Sequence, residues 1–409
     1  PMYLKLSWRN LWRNYRRTLI TVTSIVFAVV LALFVESLNR GTHDQMIDNM
    51  SRFHTGFLQV QDPLYEDEPS LDNTLDYDEE VVSEVEGAHP EIEFIVPRIE
   101  TFMLAASDEQ TRGAMVLGID PQKEQRLNEL LDRVTEGSFF EAGDQSVVLS
   151  DGLAGRLNLS VGDSLVLLGQ GRFGMTASGL YEIEGLVEHP MREMNNQIVY
   201  MPLQEAQWLL SAEDYITSLL VTPTEVRHTD NIAASLRQSL DDEGYRVLTW
   251  QEMLPDLLGI IQLDNAQQVL MIGILYIVIG FGLFGTVLMM TLERMREFGV
   301  LLSIGMKRSQ LGMVMFAETL LISALGVLGG CLLGYPIVYY FYRNPIPLGG
   351  DMADVVEEMG MGMEAVLMFS IDPDIFWAQG VIIFILAFFI CLYPIIKISR
   401  LNIIEASRK

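Results

Sequence analysis

Between two long apolar runs, Glu293, Arg294, Arg296 and Glu297 place two charges of each sign within about one and a half helical turns. Phe298, Gly299, Val300, Leu301 and Leu302 follow, then Gly305, Lys307 and Arg308. Charges of both signs beside a short apolar run suit ion pairing and burial against another protein surface. They supply nothing that makes or breaks a bond. The pattern predicts a short helix within 292–308, ended by Gly305 and the cations Lys307 and Arg308. The bland alternative is a solvated connector. Glu318 lies about two turns into the next apolar run, where an acid is a functional candidate by default. It is near enough to the preceding segment to meet one of its Arg or Lys residues, so a structural ion pair is the favoured reading.

Catalysis would need other residues, and they are not in place. The chain has no Gly-Lys pair, hence no Walker A phosphate loop. Gly280 to Gly285 matches G-x-G-x-x-G, but it lies inside an apolar run with no strand before it. Its small residues read as positions of close helix approach, as do Gly326, Gly329, Gly330 and Gly334. His43, His54, His89, His189 and His228 are scattered without zinc spacing and read as solvated or capping groups. Cys331 and Cys391 both sit in apolar runs, and no G-x-S-x-G is present. The alternating thioethers of 359–363 could take Cu(I). Without His or Cys they read better as a pliable apolar surface at a membrane interface. No catalytic residue, metal site or bound cofactor is expected in this chain.

The elements that must position the charged segment are membrane helices. Four apolar runs reach the roughly 20 residues a crossing needs, at about Thr18–Leu38, Val269–Met290, Leu311–Tyr340 and Ile375–Ile395. The first reads as a retained anchor. The N-terminus, the loop from Thr291 to Gln310 and the tail from Lys397 carry 13 Lys and Arg against three acids, which marks them as cytoplasmic. Residues 39–264 hold 42 acids against 13 cations in a chain of net charge −27. Such a surface argues against nucleic acid and anionic membrane as partners there.

The expected fold is therefore membrane α-helical, with four transmembrane helices and a large periplasmic α+β domain inserted between helices 1 and 2. Its parts are 1–38, 39–265 for the α+β domain, and 266–409 for the remaining helices and a short tail. Alternating apolar positions predict strands in "EFIVPRIETFMLAAS", "TRGAMVLGID", "QSVVLS", "DSLVLLGQG", "GLYEIEGLVE" and "QIVYMPL". "GQGRFGMTASG" has hairpin composition and is expected to project. "TDNIAASLRQSLDDEG" reads as an amphipathic helix ended by Gly244.

"LERMREFGVLLSIGMKRSQLGMVMFAETLLISALGVLGGCLLGY" resembles the permease signature of the FtsX/MacB/lipoprotein-release group of ABC transporters, sometimes called type VII. The matching residues are Glu293, Arg296, Glu297, Phe298, Gly299, Leu302, Gly305, Lys307, Arg308 and Glu318. The tail resembles the family ending at Pro394, Arg400, Glu405, Ala406 and Arg408, with Ile403 or Ile404 in place of its usual proline. In the α+β region, "SVVLSDGLAGRLNLSVGDSLVLL" is similar to the family's strand, helix and Gly-Asp turn, and the Trp250 segment resembles the lipoprotein-releasing permeases.

The resemblance implies a dimer of permease chains, homo- or heteromeric, on a dimer of separate ABC ATPase subunits that hold the ATP and Mg. It implies that closure of those ATPases moves the periplasmic domains, with membrane lipid and a periplasmic carrier or adaptor as further partners. Glu293, Arg294, Arg296, Glu297, Phe298, Gly299, Leu302, Gly305 and Lys307 would form the ATPase-coupling segment, with Glu318 as membrane acid. Lipoprotein or lipid extraction from the inner membrane is the expected task. Export of a peptide or drug through an adaptor and outer-membrane channel is the alternative, with regulation of a cell-wall hydrolase as a third.

Overall fold

The computed structural model describes residues 2–13, 15–240, 244–350 and 366–399. The methionines of 359–363 and the tail positions Arg400, Glu405, Ala406 and Arg408 lie outside the described residues. The chain opens with α1 (Met2–Arg13) and α2 (Tyr15–Met50). There follow β1 (Leu58–Gln61), β2 (Leu75–Asp76), α3 (Glu79–Gly87), β3 (Ile92–Ala106), β4 (Thr111–Ile119), α4 (Pro121–Asn128) and β5 (Val134–Gly137). Next come β6 (Ser146–Ser150), α5 (Asp151–Leu157), β7 (Ser164–Gln170), β8 (Thr176–Val187), α6 (Arg192–Asn195), β9 (Ile198–Pro202) and α7 (Leu203–Leu209). β10 (Tyr215–Ile216), β11 (Ser218–Pro223), α8 (Thr229–Ser239), β12 (Arg246–Thr249) and α9 (Trp250–Met253) complete the α+β region. The chain then forms α10 (Pro255–Glu293), α11 (Met295–Ser303), α12 (Arg308–Arg343), the short pair β13 (Ile346–Pro347) and β14 (Val366–Leu367), and α13 (Pro373–Ser399).

Two units result, one of Pro1–Asp44, Ile260–Pro347 and Val366–Lys409, the other of Gln45–Gly259 and Leu348–Ala365. The expected boundaries near 38 and 265 move by about six residues, because α2 and α10 both continue as helix past their apolar runs.

In the helical unit, α2, α10, α12 and α13 are long and apolar enough to cross a membrane, matching the four apolar runs. Gly326, Gly330 and Gly334 of α12 lie one turn apart against Ile25, Val29 and Leu33 of α2. A Cβ at Gly330 would stand 2.5 Å from that of Val29, so only glycine admits this approach. Gly280 makes ordinary contact with Leu386 of α13, but nothing lies within 4 Å of a Cβ at Gly282 or Gly285. The close packing expected of that run within the chain is therefore absent at those two positions. Towards the α+β ends of these helices, Gln268 donates to Glu36 at 3.0 Å and His43 meets Asp264 at 2.7 Å.

The α+β unit is built on a ten-stranded sheet ordered β12-β1-β11-β3-β4-β9-β6-β8-β5, with β7 bridging β3 and β8. Strand alternation sends Ile99, Met103 and Ala105 of β3 into a core shared with Leu165, Leu167 and Leu149. Phe102 and Leu104 point to the opposite face and are exposed. Helix starts follow local capping: Asp78 accepts from the N–H groups of Glu80 and Val81, and Asp120 does the same ahead of Pro121. All six expected strands form. The β7–β8 turn does not project as expected. Phe173 N–H donates to Asp72 at 2.6 Å, Arg172 N–H donates to the Leu210 carbonyl at 2.8 Å, and the Arg172 guanidinium stacks over Tyr215. Helix α8 ends at Ser239, short of Gly244. His189 is buried rather than solvated: burial pushes it down to about 4, and its Nδ1 accepts from the Met191 N–H at 3.1 Å.

Candidate coupling site

The site begins at a single irregular residue. α10 stops at Glu293, and Arg294, with φ −92° and ψ 0°, breaks the helix before α11 resumes. This turn drives the Arg294 side chain inward. Its Nη1 donates to both carboxylate oxygens of Glu318 on α12, each at 2.7 Å, with both side chains buried. The ion pair expected for Glu318 is therefore present, and its partner is Arg294. Arg294 Nε also donates to Glu297 Oε2 at 3.4 Å, and Arg13 of α1 donates to the same oxygen at 3.0 Å. A charge sequence Arg13–Glu297–Arg294–Glu318 thus joins α1, α11 and α12. Removing one member of the buried pair costs about 3–5 kcal/mol, because it strands the other charge. The exposed Arg13–Glu297 contact contributes at most about 1 kcal/mol.

Helix α11 has two apolar faces. Phe298 and Leu302 are buried with Leu311 and Met315 of α12, and the Arg294 guanidinium lies 5.6 Å above the Phe298 ring. Val300, Leu301 and Ile304 turn outward, exposed by 54%, 40% and 78%. The single contact face expected of Phe298, Val300, Leu301 and Leu302 is split, because residues four apart share a helix side while neighbours do not. Gly299 is buried, and Arg296 lies on α11.

Gly305, at φ +104°, closes the helix in a Schellman motif: Met306 N–H donates to the Leu301 carbonyl and Gly305 N–H to that of Leu302, each at 3.1 Å. Lys307 and Arg308 do not help to end α11. They open α12, with the Lys307 N–H donating to Gln310 Oε1 at 3.0 Å. Cations at a helix N-terminus oppose its dipole. Glu293 and Lys307 are exposed.

Sequence reasoning missed Arg13, whose contact spans 284 positions and leaves no local signal. It also missed Arg98 of β3, buried against Glu124 with Nε–Oε2 at 3.2 Å, while Asn128 donates to Glu124 and Arg98 Nη1 donates to the His54 carbonyl. An Arg inside an apolar strand, with an acid at a helix start nearby, was the available hint.

The description "MacB-like periplasmic core domain" matches residues 18–239, and "FtsX-like permease C-terminal" matches 269–403. The chain belongs to the FtsX-like permeases with a MacB-like periplasmic core domain. A "Macrolide export ATP-binding/permease protein MacB" of Marinobacter nauticus is 23% identical over 90% of this permease and 58% of its own length. The permease thus spans little more than half of that relative. A "Lipoprotein-releasing system transmembrane protein LolC" of Neisseria meningitidis is 21% identical over 84% of the permease and 83% of its own length. The solved periplasmic region of MacB from Actinobacillus actinomycetemcomitans aligns with 52% of the permease and 97% of its own chain, at 10% identity and a TM-score of 0.36. Within the permease, α11 and α12 lie in the second matched segment and the glycine-facing residues of α2 in the first.

Proposed function

We propose that this permease passes the closing motion of a separate ABC ATPase, through α11, to an α+β domain on the outer side of the bacterial inner membrane. The observation that carries this reading is the two-sided α11. Its inner side is fastened to α12 by Phe298, Leu302 and the Arg294–Glu318 pair, and its outer side presents Val300, Leu301 and Ile304. An exposed apolar strip beside charged groups is the composition of a protein contact. Lys307 and Arg308, set against a helix dipole, would gain from acids on a docking subunit. The distribution of Lys and Arg supports cytoplasmic placement of this segment and of both termini.

For the cargo we infer a lipoprotein or lipid. The reciprocal coverage with a lipoprotein-releasing system protein supports this. So does the open apolar face of the β3–β7–β8 sheet, where Phe102, Leu104, Val166, Leu168 and Leu180 are all exposed. The export reading draws on the MacB relatives. Val300→Asp with Ile304→Asp tests the coupling role. The variant should insert and melt like the wild type yet lose the ATPase in a gentle co-purification. Undiminished recovery of the ATPase would sink the assignment. A lipoprotein with its carrier, or an adaptor with its channel, in the wild-type pull-down decides the cargo class.

A further inference from the structure

Within the α+β unit a cavity of about 630 Å³ opens beside β3. It falls in the size range of small-molecule sites. Its wall combines apolar side chains, among them Leu71, Phe102, Met115 and Leu248, with four acids, Glu66, Asp72, Glu100 and Glu252, and no Lys or Arg.

Three of the acids are already engaged. Glu66 pairs with Arg246 at 2.5 Å, Glu252 with Arg237 at 2.7 Å, and Asp72 accepts the Phe173 N–H at 2.6 Å. Glu100 differs. Its carboxylate has one contact, the Tyr65 hydroxyl at 3.4 Å, which is long for an O–H···O bond. The nearest cation on its strand face, Arg98, is turned to Glu124 and the His54 carbonyl. Burial pushes the Glu100 carboxyl above the usual carboxylate range, outweighing the charge of Arg98 and the Tyr65 hydroxyl, which act the other way.

We propose that this cavity binds a primary ammonium carried on a small apolar group, with Glu100 as its counter-ion. The surrounding carboxylates complement that charge and repel an amine flanked by phosphate, which favours a peptide-type or simple amine over a phospholipid headgroup. The apolar wall beside Phe102 takes the attached group.

Phenethylamine is a suitable probe, with 2-phenylethanol as its uncharged isostere and O-phosphoethanolamine as the phosphate-bearing amine. The full chain is placed in nanodiscs, with empty nanodiscs as control, and binding is read by ligand-observed NMR. The amine should bind at least about tenfold more tightly than the alcohol, and O-phosphoethanolamine should not bind. Glu100→Gln, with an unchanged melting curve, should reduce amine binding to the level of the alcohol. Equal binding of amine and alcohol to the wild type, absence of amine binding, or full retention in Glu100→Gln would each overturn the proposal. The comparison of isosteres on the wild type holds even if the variant folds poorly.

Discussion

Arg294 reaches Glu318 through one nitrogen placed 2.7 Å from each carboxylate oxygen, in a turn that belongs to neither α10 nor α11. The residue that interrupts the helix is thus the residue that fastens it to α12. Glu318→Ala should lower stability by about 3–5 kcal/mol, since a buried guanidinium is left without its partner. Arg294→Met combined with Glu318→Leu should recover most of that loss. Thermal unfolding of the single and double variants checks this. A double variant as unstable as Glu318→Ala would show that the pair does not act as a unit.

The two sides of α11 should separate stability from partner binding. Phe298→Ala opens the cluster with Leu302, Leu311 and Met315 and is expected to cost about 3–5 kcal/mol. Ile304→Asp, at a residue exposed by 78%, should leave the melting temperature unchanged and weaken ATPase recovery. Identical melting curves for the two variants would contradict the division of faces.

Glycines of similar appearance should behave differently. Gly330→Ala forces a Cβ to within 2.5 Å of Val29 and should cost about 1–3 kcal/mol through overpacking. Gly282→Ala and Gly285→Ala meet nothing within 4 Å in the chain and should be neutral or slightly stabilising to the isolated permease. Melting curves of the three variants in detergent decide this.

His189 gives the α+β unit a pH dependence of known sign. Its folded value of about 4 lies below the unfolded value near 6.5, so the unfolded chain binds the proton more readily between them. Its contribution is fully present above pH 6.5 and is lost as pH falls towards 4, by about 3 kcal/mol in all. His189→Asn keeps an acceptor for the Met191 N–H and should reduce the difference between melts at pH 7 and pH 4.5, leaving the share of His54, which is likewise pushed down to about 4. An unaltered slope would assign the pH dependence to other groups.

Much of this architecture is readable in the residues, and the misses have physical causes. The membrane helices and the six alternating strands announce themselves through continuous or period-two apolar patterns. β1, β11 and β12 were not anticipated. β1 and β12 have only four residues each, and β11 is buried at every position and shows no alternation. Glu318's need for a cation was legible, whereas the choice of Arg294 depends on a helix break that no Gly or Pro marks. The division of Phe298 and Leu302 from Val300 and Leu301 follows from helical spacing, once the helix is known to lie against α12. The folded-back β7–β8 turn depends on Asp72 and Leu210, remote in sequence.

The helix break at Arg294 also sets a mechanical direction. On the proposed coupling role, a displacement taken up by α11 meets this interruption before it reaches α10. It is delivered sideways into α12 through the ion pair and the Phe298 cluster, and from α12 into α2 across the glycine contacts. α2 then runs unbroken to Met50. On that reading α2 carries the motion away from α12 together with α10, which is itself bonded to α2 through Gln268–Glu36 and Asp264–His43.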